Sequence, residues 1–383
     1  MVTAPQETME RIPFFRYQHV FTAEREKLIE AFLDIGGRGA FILQDEVRHF
    51  EARLAEFCGV GHAIGVGNAT DGLELVIAAA GIGAGDEVIL PSHTFVASAG
   101  AVVANGATPV FAEVGTDHLM DLEDAARRVT GRTRALMPTQ LNGRTADMDQ
   151  YEALADELGL ILLEDSAQGL GSKFKKRMAG TFGFAGVYSF YPAKTLGALG
   201  DGGAIVTNDG HLADLLRERR DHGRTGAGGH VNYWGRNSRL DNLQAAFLLV
   251  KLESFPSEIE RRREIAERYN ANLADLPGVL LPPAPDAEGE HYDVFQNYEM
   301  EVDDRDGLRA HLENSGIGTI LQWGGRAVHE FERLGVNVEL PRTEAVMRRS
   351  LLLPMNTSLS DTEVDRVCEV VRDYQLRGTE VTI

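Results

Sequence analysis

Between residues 60 and 210 the chain alternates short apolar, β-branched runs with segments whose apolar positions recur at helical spacing. The runs are HAIGV, EVILP, TPVFAEV, TRALMP, LILLED, GVYSFY and GAIVTN. Most are too short and too apolar to be antiparallel strands with one wet face. They predict the buried strands of a mostly parallel sheet, and hence an α/β domain. In the segment RLDNLQAAFLLVKLESFPSEIERRREIAERYNANLADLPG the pattern changes to long amphipathic helices, and the next strand-like run, VFQNYEMEV, starts near residue 294. This predicts a smaller α+β domain from about Lys251 onward. The Pro-rich, acidic stretch LPPAPDAEGEHYD is expected to be an exposed connection within it, and no internal repeat is present.

Composition narrows the classes of function. Among 383 residues, 43% are hydrophobic and 25% charged, which is ordinary for a globular chain, and the formal net charge is -20. Such a field repels nucleic acid and anionic membrane surfaces, so neither is expected as a partner. Any anionic ligand needs a local cluster of donors. Cys58 and Cys368 stand far apart and belong to no metal-ligand spacing, so neither a disulfide framework nor a metal is expected, and a reducing, cytoplasmic setting fits. The first residues carry no basic start followed by an apolar stretch, and no later run approaches bilayer-spanning length.

In open parallel sheets, ligands collect beyond the carboxyl ends of the strands, so the residues after each run are the first candidates for chemistry. LILLEDSAQ ends in Glu164 and Asp165. One of these either caps the next turn or binds a protonated ring nitrogen. Lys194 follows the run AGVYSFYP, which carries Ser189 and Tyr191, and precedes a glycine-rich tail. It is either a solvated surface charge or an amine of depressed pKa able to form a Schiff base. VGNATDGLELVI places Asn68, Ala69 and Thr70 in a turn before a helix, which is an ordinary N-cap or a phosphate cradle. His93 and Phe95 of PSHTFVAS follow the next strand, and Phe95 is either core or a lid on a planar ring. RRDHGRTGAGGHVNYWGRNSRLDNLQAA is basic in an acidic chain. It is either a surface loop or the carrier of Arg224, Arg236 and Arg239 to phosphate groups.

Taken in order, GNATDGLELVI, PSHTFVAS, EDSAQGLGS, SFYPAKTLGALGDGGAIVTND and GRNSRLDNLQAA resemble the DegT/DnrJ/EryC1/StrS family of sugar aminotransferases. The resemblance runs from about residue 12 to the C-terminus and is dense between 60 and 250. It implies a fold-type-I transferase dependent on pyridoxal 5'-phosphate. Residues 1–35 would pack on the small domain, 36–250 would form the large cofactor-binding domain and 251–383 the small one. By the same resemblance Lys194 would form the Schiff base with the cofactor, and Asp165 would pair with the pyridine nitrogen. Gln168 would face the phenolic oxygen and Phe95 would stack on the ring. Asn68, Ala69, Thr70 and Ser189 would hold the phosphate. Asn237 would reach the same phosphate from a neighbouring subunit, so a homodimer with shared sites is expected. His93, Tyr191, Arg224, Arg236, Arg239, Gln322 and Trp323 are the candidates for substrate contact.

The implied reaction moves an amino group from an amino acid, usually L-glutamate in this family, to a nucleotide-linked keto sugar, as in the biosynthesis of amino sugars and antibiotics. A 4-keto dTDP-sugar is taken ahead of a 3-keto one, and a cofactor enzyme acting on a small amino acid is the alternative. Relatives that dehydrate sugars carry histidine where Lys194 stands, so the lysine favours transamination. Two departures bear on the substrate. Gln140 and Asn142 of QLNGRTADM replace a common HLYG, and LQWGGRAVHEF, with Gln322, Trp323 and Arg326, stands where many relatives have a pattern like HYPxPLH.

Overall fold

The computed structural model describes residues 11–225, 229–286 and 289–380. All seven runs are strands of one sheet: β1 (His62–Val66), β2 (Glu87–Pro91), β3 (Thr108–Ala112), β4 (Thr133–Leu136), β5 (Ile161–Asp165), β6 (Ala185–Ser189) and β7 (Gly203–Thr207). Their spatial order is β1-β7-β6-β5-β4-β2-β3. The pairs from β6 to β3 are parallel, whereas β7 runs antiparallel to both β6 and β1. The reversal has a simple cause. The connection from β6 to β7 carries Lys194 and the glycine-rich tail but no helix, so it cannot serve as the crossover that a parallel return needs.

Both faces of the sheet are covered, which is why the runs are almost continuously apolar. The pleat sends Val187 and Ile205 into one core, with Leu73, Val76 and Ile77 of helix α1 (Ala69–Ala79), and sends Tyr188 and Val206 into another. Burying each of those three α1 side chains contributes about 1.5–3 kcal/mol. Helix α1 lies so close to the sheet that a Cβ at Gly72 would meet Val187 Cγ1 at 2.7 Å. Helix α2 (Val96–Ala104) follows β2 and adds Ala101 and Val102 to the first of these cores.

The chain leaves the sheet domain inside one long helix, α3 (Asn242–Leu273), rather than through a linker. Its first half gives Leu248, Leu252 and Phe255 to a core under the sheet, and its second half gives Ile265, Tyr269 and Leu273 to a separate core. Pro256, which cannot donate to the carbonyl four residues back, falls between the two halves. The second core is closed by an antiparallel sheet of β8 (Val279–Leu280), β9 (Tyr298–Val302) and β10 (Ser350–Leu353). Helices α4 (Arg305–Asn314) and α5 (Asp361–Glu380) cover it. Ile12 is buried in this core and exchanges backbone hydrogen bonds with Gly316 and Gly318. Within the Pro-rich stretch, His291–Tyr292 pairs with Lys173–Phe174 of the large domain, so the segment is more than a connection. No helix among the described residues is long and apolar enough to cross a membrane.

Candidate active site

The carboxyl ends of β1, β2, β5 and β6 open on a cleft of about 590 Å³, closed on its far side by Gln296, Asn297, Ile320 and Leu352 of the second domain. At its edge α1 begins. Asn68 is the N-cap, with its Oδ1 accepting from the Asp71 amide at 2.8 Å and its Nδ2 donating to Asp71 Oδ2 at 3.1 Å. The capping role expected of Asn68 is therefore present. It leaves the first amides of the helix, at Ala69 and Thr70, without carbonyls one turn back and aimed where an anion can sit. The turn is seated by close backbone approach: a Cβ on Gly203 would stand 2.8 Å from the Ala69 nitrogen. Ser189 lines the cleft at the end of β6.

Asp165 is the last residue of β5 and is buried. Its Oδ2 accepts from Ser98 Oγ at 2.6 Å and its Oδ1 from the Ala167 amide at 3.1 Å. Ser98 continues through Thr94, at 2.7 Å, to Thr139, at 3.0 Å, so three hydroxyls stand behind one carboxylate. Burial pushes the Asp165 carboxyl above its usual range, against the opposing pull of Ser98, Ala167 and the Lys194 charge. Lys194 faces the same cleft. Burial pushes its amine down to about 8, with Asp165 acting in the opposite direction. The backbone on both sides of Lys194 is pinned by one side chain: Gln296 Oε1 accepts from the Thr195 amide at 2.7 Å, and Gln296 Nε2 donates to the Ala193 carbonyl at 2.9 Å.

The aromatic and amide wall of the cleft is tied together. Phe95 is 54% exposed, so it is not a core residue, and its ring lies 5.4 Å from that of Trp323. Gln168 Oε1 accepts from the Asn142 amide at 2.8 Å. Asn142 Oδ1 in turn accepts from Asn297 Nδ2 at 2.9 Å and Gln322 Nε2 at 3.0 Å. Asn142 and Trp323 hold positive φ values of 55° and 54°, a conformation that non-glycine residues rarely keep without supporting contacts. Tyr191 is exposed at the cleft mouth and hydrogen-bonds Tyr17, whose phenol is raised to about 12 chiefly by that bond.

Several expected contacts lie elsewhere. His93 is wholly buried and does not line the cleft: it turns toward Glu299 of the second domain, while the next two residues, Thr94 and Phe95, line the cleft. In their own chain the three arginines of the basic loop also stay away from the cleft. Arg236 pairs with Glu74, Arg239 with Asp221 at 2.9 Å, and Arg224 sits exposed in a short hairpin. Asn237 is exposed and bridges Asp221. Arg326 is exposed and outside the cleft. Gln140 is buried, holding Glu164 at 2.7 Å and the Ala146 amide at 2.8 Å, so that departure is structural. Ser98, Thr94, Thr139 and Gln296 escaped the sequence reading. Ser98 carried one usable signal, lying one helical turn after Thr94 at the mouth of the same strand.

A buried acid, an amine of lowered pKa, a helix N-terminus and an exposed aromatic face, gathered at the strand ends of an α/β sheet beside a small α+β domain, define an enzyme of the aminotransferase class. Comparison with known proteins agrees. Residues 22–372 match the DegT/DnrJ/EryC1/StrS aminotransferase family, and the chain belongs to it. It is 38% identical over 379 residues to the dTDP-3-amino-3,4,6-trideoxy-alpha-D-glucose transaminase of Streptomyces venezuelae, covering 96% of this chain and 97% of that one. It is 35% identical to the UDP-2-acetamido-2-deoxy-3-oxo-D-glucuronate aminotransferase of Pseudomonas aeruginosa, over 86% of this chain and 91% of the relative. The crystal structure of S. venezuelae DesV in complex with ketimine intermediate superposes with a TM-score of 0.91 at 38% identity, over 95% of this chain and 98% of that one.

Proposed function

We propose that this enzyme binds pyridoxal 5'-phosphate in the cleft and transfers an amino group from an amino acid, L-glutamate as the expected donor, to a keto sugar carried on a nucleotide. The observation that carries this reading is the pairing of Lys194, its amine pushed down to about 8, with the buried carboxylate of Asp165 in one cleft. Bound there, the cofactor supplies an electron sink for breaking a C–H bond next to nitrogen. Asp165 would hold a protonated ring nitrogen by a charge-assisted hydrogen bond, and the hydrogen bond from Ser98 orients that carboxylate and favours its ionised form. The amides of Ala69 and Thr70, with Ser189, would hold the phosphate, and Phe95 would cover the ring; all four line the cleft. The Lys194 amine, free in the cleft, would serve as the base that takes a proton from the donor α-carbon and as the acid that returns one to the sugar carbon. Gln168 would face the phenolic oxygen of the ring, and Gln322, Trp323 and Tyr191 would face the sugar; all four line the cleft.

Amination at C3 is favoured over C4, the carbon first expected, because the two relatives described above carry names that place the chemistry at C3. Asn237, which makes no contact with its own chain's cleft, fits a role in a partner's phosphate site and so an assembly of at least two chains. The decisive test mixes the pyridoxamine form with a panel of 3-keto and 4-keto sugar nucleotides and 2-oxo acids. Recovery of lysine-bound cofactor absorption with a 3-keto nucleotide sugar supports the reading, and recovery with oxo acids alone refutes it. Mixing Lys194→Ala with Asn237→Ala chains tests the shared site. Absence of recovered activity in mixed dimers would count against it.

A further inference from the structure

Behind the amide wall lies a second constellation that the proposed reaction does not use. His93 follows β2, His118 lies in the loop after β3, and Glu299 is in β9 of the small domain. One donor atom from each stands within 4.8 Å of the others. His93 Nε2 is 3.5 Å from Glu299 Oε1, and His118 Nδ1 is 2.9 Å from Glu299 Oε2. The 3.5 Å separation suits neighbouring ligands around a small cation with bonds of about 2.0–2.2 Å, and the 2.9 Å contact would open by about half an ångström as the ion replaces its proton.

Three observations point to a ligand. His93 is wholly buried, and neither its Nδ1 nor its Nε2 has a hydrogen-bond partner among the described residues; Glu299 Oε1 is likewise buried and unpartnered. Buried polar atoms are rarely left so. The outer contacts are those that orient metal ligands: His118 Nε2 faces Glu301 Oε1 at 3.0 Å, Arg349 holds Glu301 at 3.1 Å, and Asn142 Nδ2 donates to Glu299 Oε2 at 2.7 Å. A cavity of about 300 Å³ reaches His118 and Glu299, giving an entry path and room for a water at a fourth position. A bare ion pair between His118 and the two glutamates would satisfy those three groups. It would leave His93 Nδ1 without a partner and His93 Nε2 facing Glu299 Oε1 at 3.5 Å without a hydrogen bond.

We propose that His93, His118 and Glu299 bind one divalent transition-metal ion of the zinc class, clamping β9 of the small domain to the loops after β2 and β3 of the large one. Two imidazoles and a carboxylate, with a water, form a common zinc donor set. The ion is structural, since none of its ligands lines the main cleft. Cysteine spacing carries no sign of a metal, whereas these ligands come from three segments that only the fold brings together.

The test uses untagged full-length protein, stripped with a chelator and titrated calorimetrically with zinc chloride. One equivalent per chain is expected, with a raised Tm, and cobalt(II) in its place should show the visible bands of a low-coordinate N/O site. His93→Ala removes no hydrogen bond, so the variant should fold and load pyridoxal phosphate normally while binding zinc about a hundredfold or more weaker. Glu299→Gln should lose the equivalent as well. Absence of a tight equivalent in the wild type, or equal binding by wild type and His93→Ala, would overturn the proposal. Cofactor loading is read separately, so failure here is distinct from failure of the reaction assigned above.

Discussion

The amine of Lys194 offers the most searching test of the site. Its ordinary value of 10.5 is pushed down to about 8 by burial, against the pull of Asp165. An ordinary lysine at pH 7 is neutral in about one molecule in three thousand, whereas an amine titrating at about 8 is neutral in about one in ten, a gain of about 300-fold in attacking species. The rate at which cofactor-free protein captures pyridoxal phosphate should therefore climb about tenfold per pH unit below pH 8 and flatten above it. Stopped-flow absorbance between about pH 6 and pH 10 reads this directly. The sign can be checked with one substitution. Asp165→Asn removes the charge that favours the protonated amine, so its midpoint should move to lower pH. A wild-type rate still climbing tenfold per unit above pH 9, or a midpoint that rises in Asp165→Asn, would refute the reasoning.

Gln296→Ala should leave the Thr195 amide and the Ala193 carbonyl without partners, costing about 1–3 kcal/mol in chemical denaturation and lowering kcat by about tenfold or more while cofactor content is kept. In Ser98→Ala the hydrogen bond that opposes the burial of Asp165 is gone, so the carboxyl should rise further and the acid limb of the kcat profile should move to higher pH; an unmoved limb would show that Ser98 does not tune it. Gly203→Ala should push on the Ala69 amide, destabilise the fold by about 1–3 kcal/mol and weaken cofactor retention in dialysis.

The seven strands and the place of the chemistry were legible because both depend on local pattern. A strand buried on both faces must be apolar throughout, and the sheet must present its loops at the strand ends, so position made candidates of Asp165, Lys194 and the Asn68 turn, and the family resemblance gave them roles. The turn from β6 to β7 was legible in principle as well, since a connection without a helix forbids a parallel return.

What only the tertiary structure decided are the pairings between distant segments. Gln296 reaches the backbone on either side of Lys194 from about a hundred residues away in sequence, and Glu299 meets His93 and His118 across the domain interface. The basic loop kept its charge yet spent Arg236 and Arg239 on Glu74 and Asp221. No local spacing encodes such contacts, because each follows from how two cores, joined through the single helix α3, settle against one another. The sequence by itself determined which groups stand at the strand ends, through the period of its apolar residues; packing determined which of them face the cleft, since a step of one residue, from Thr94 to His93, takes a side chain from the cleft wall into the domain interface.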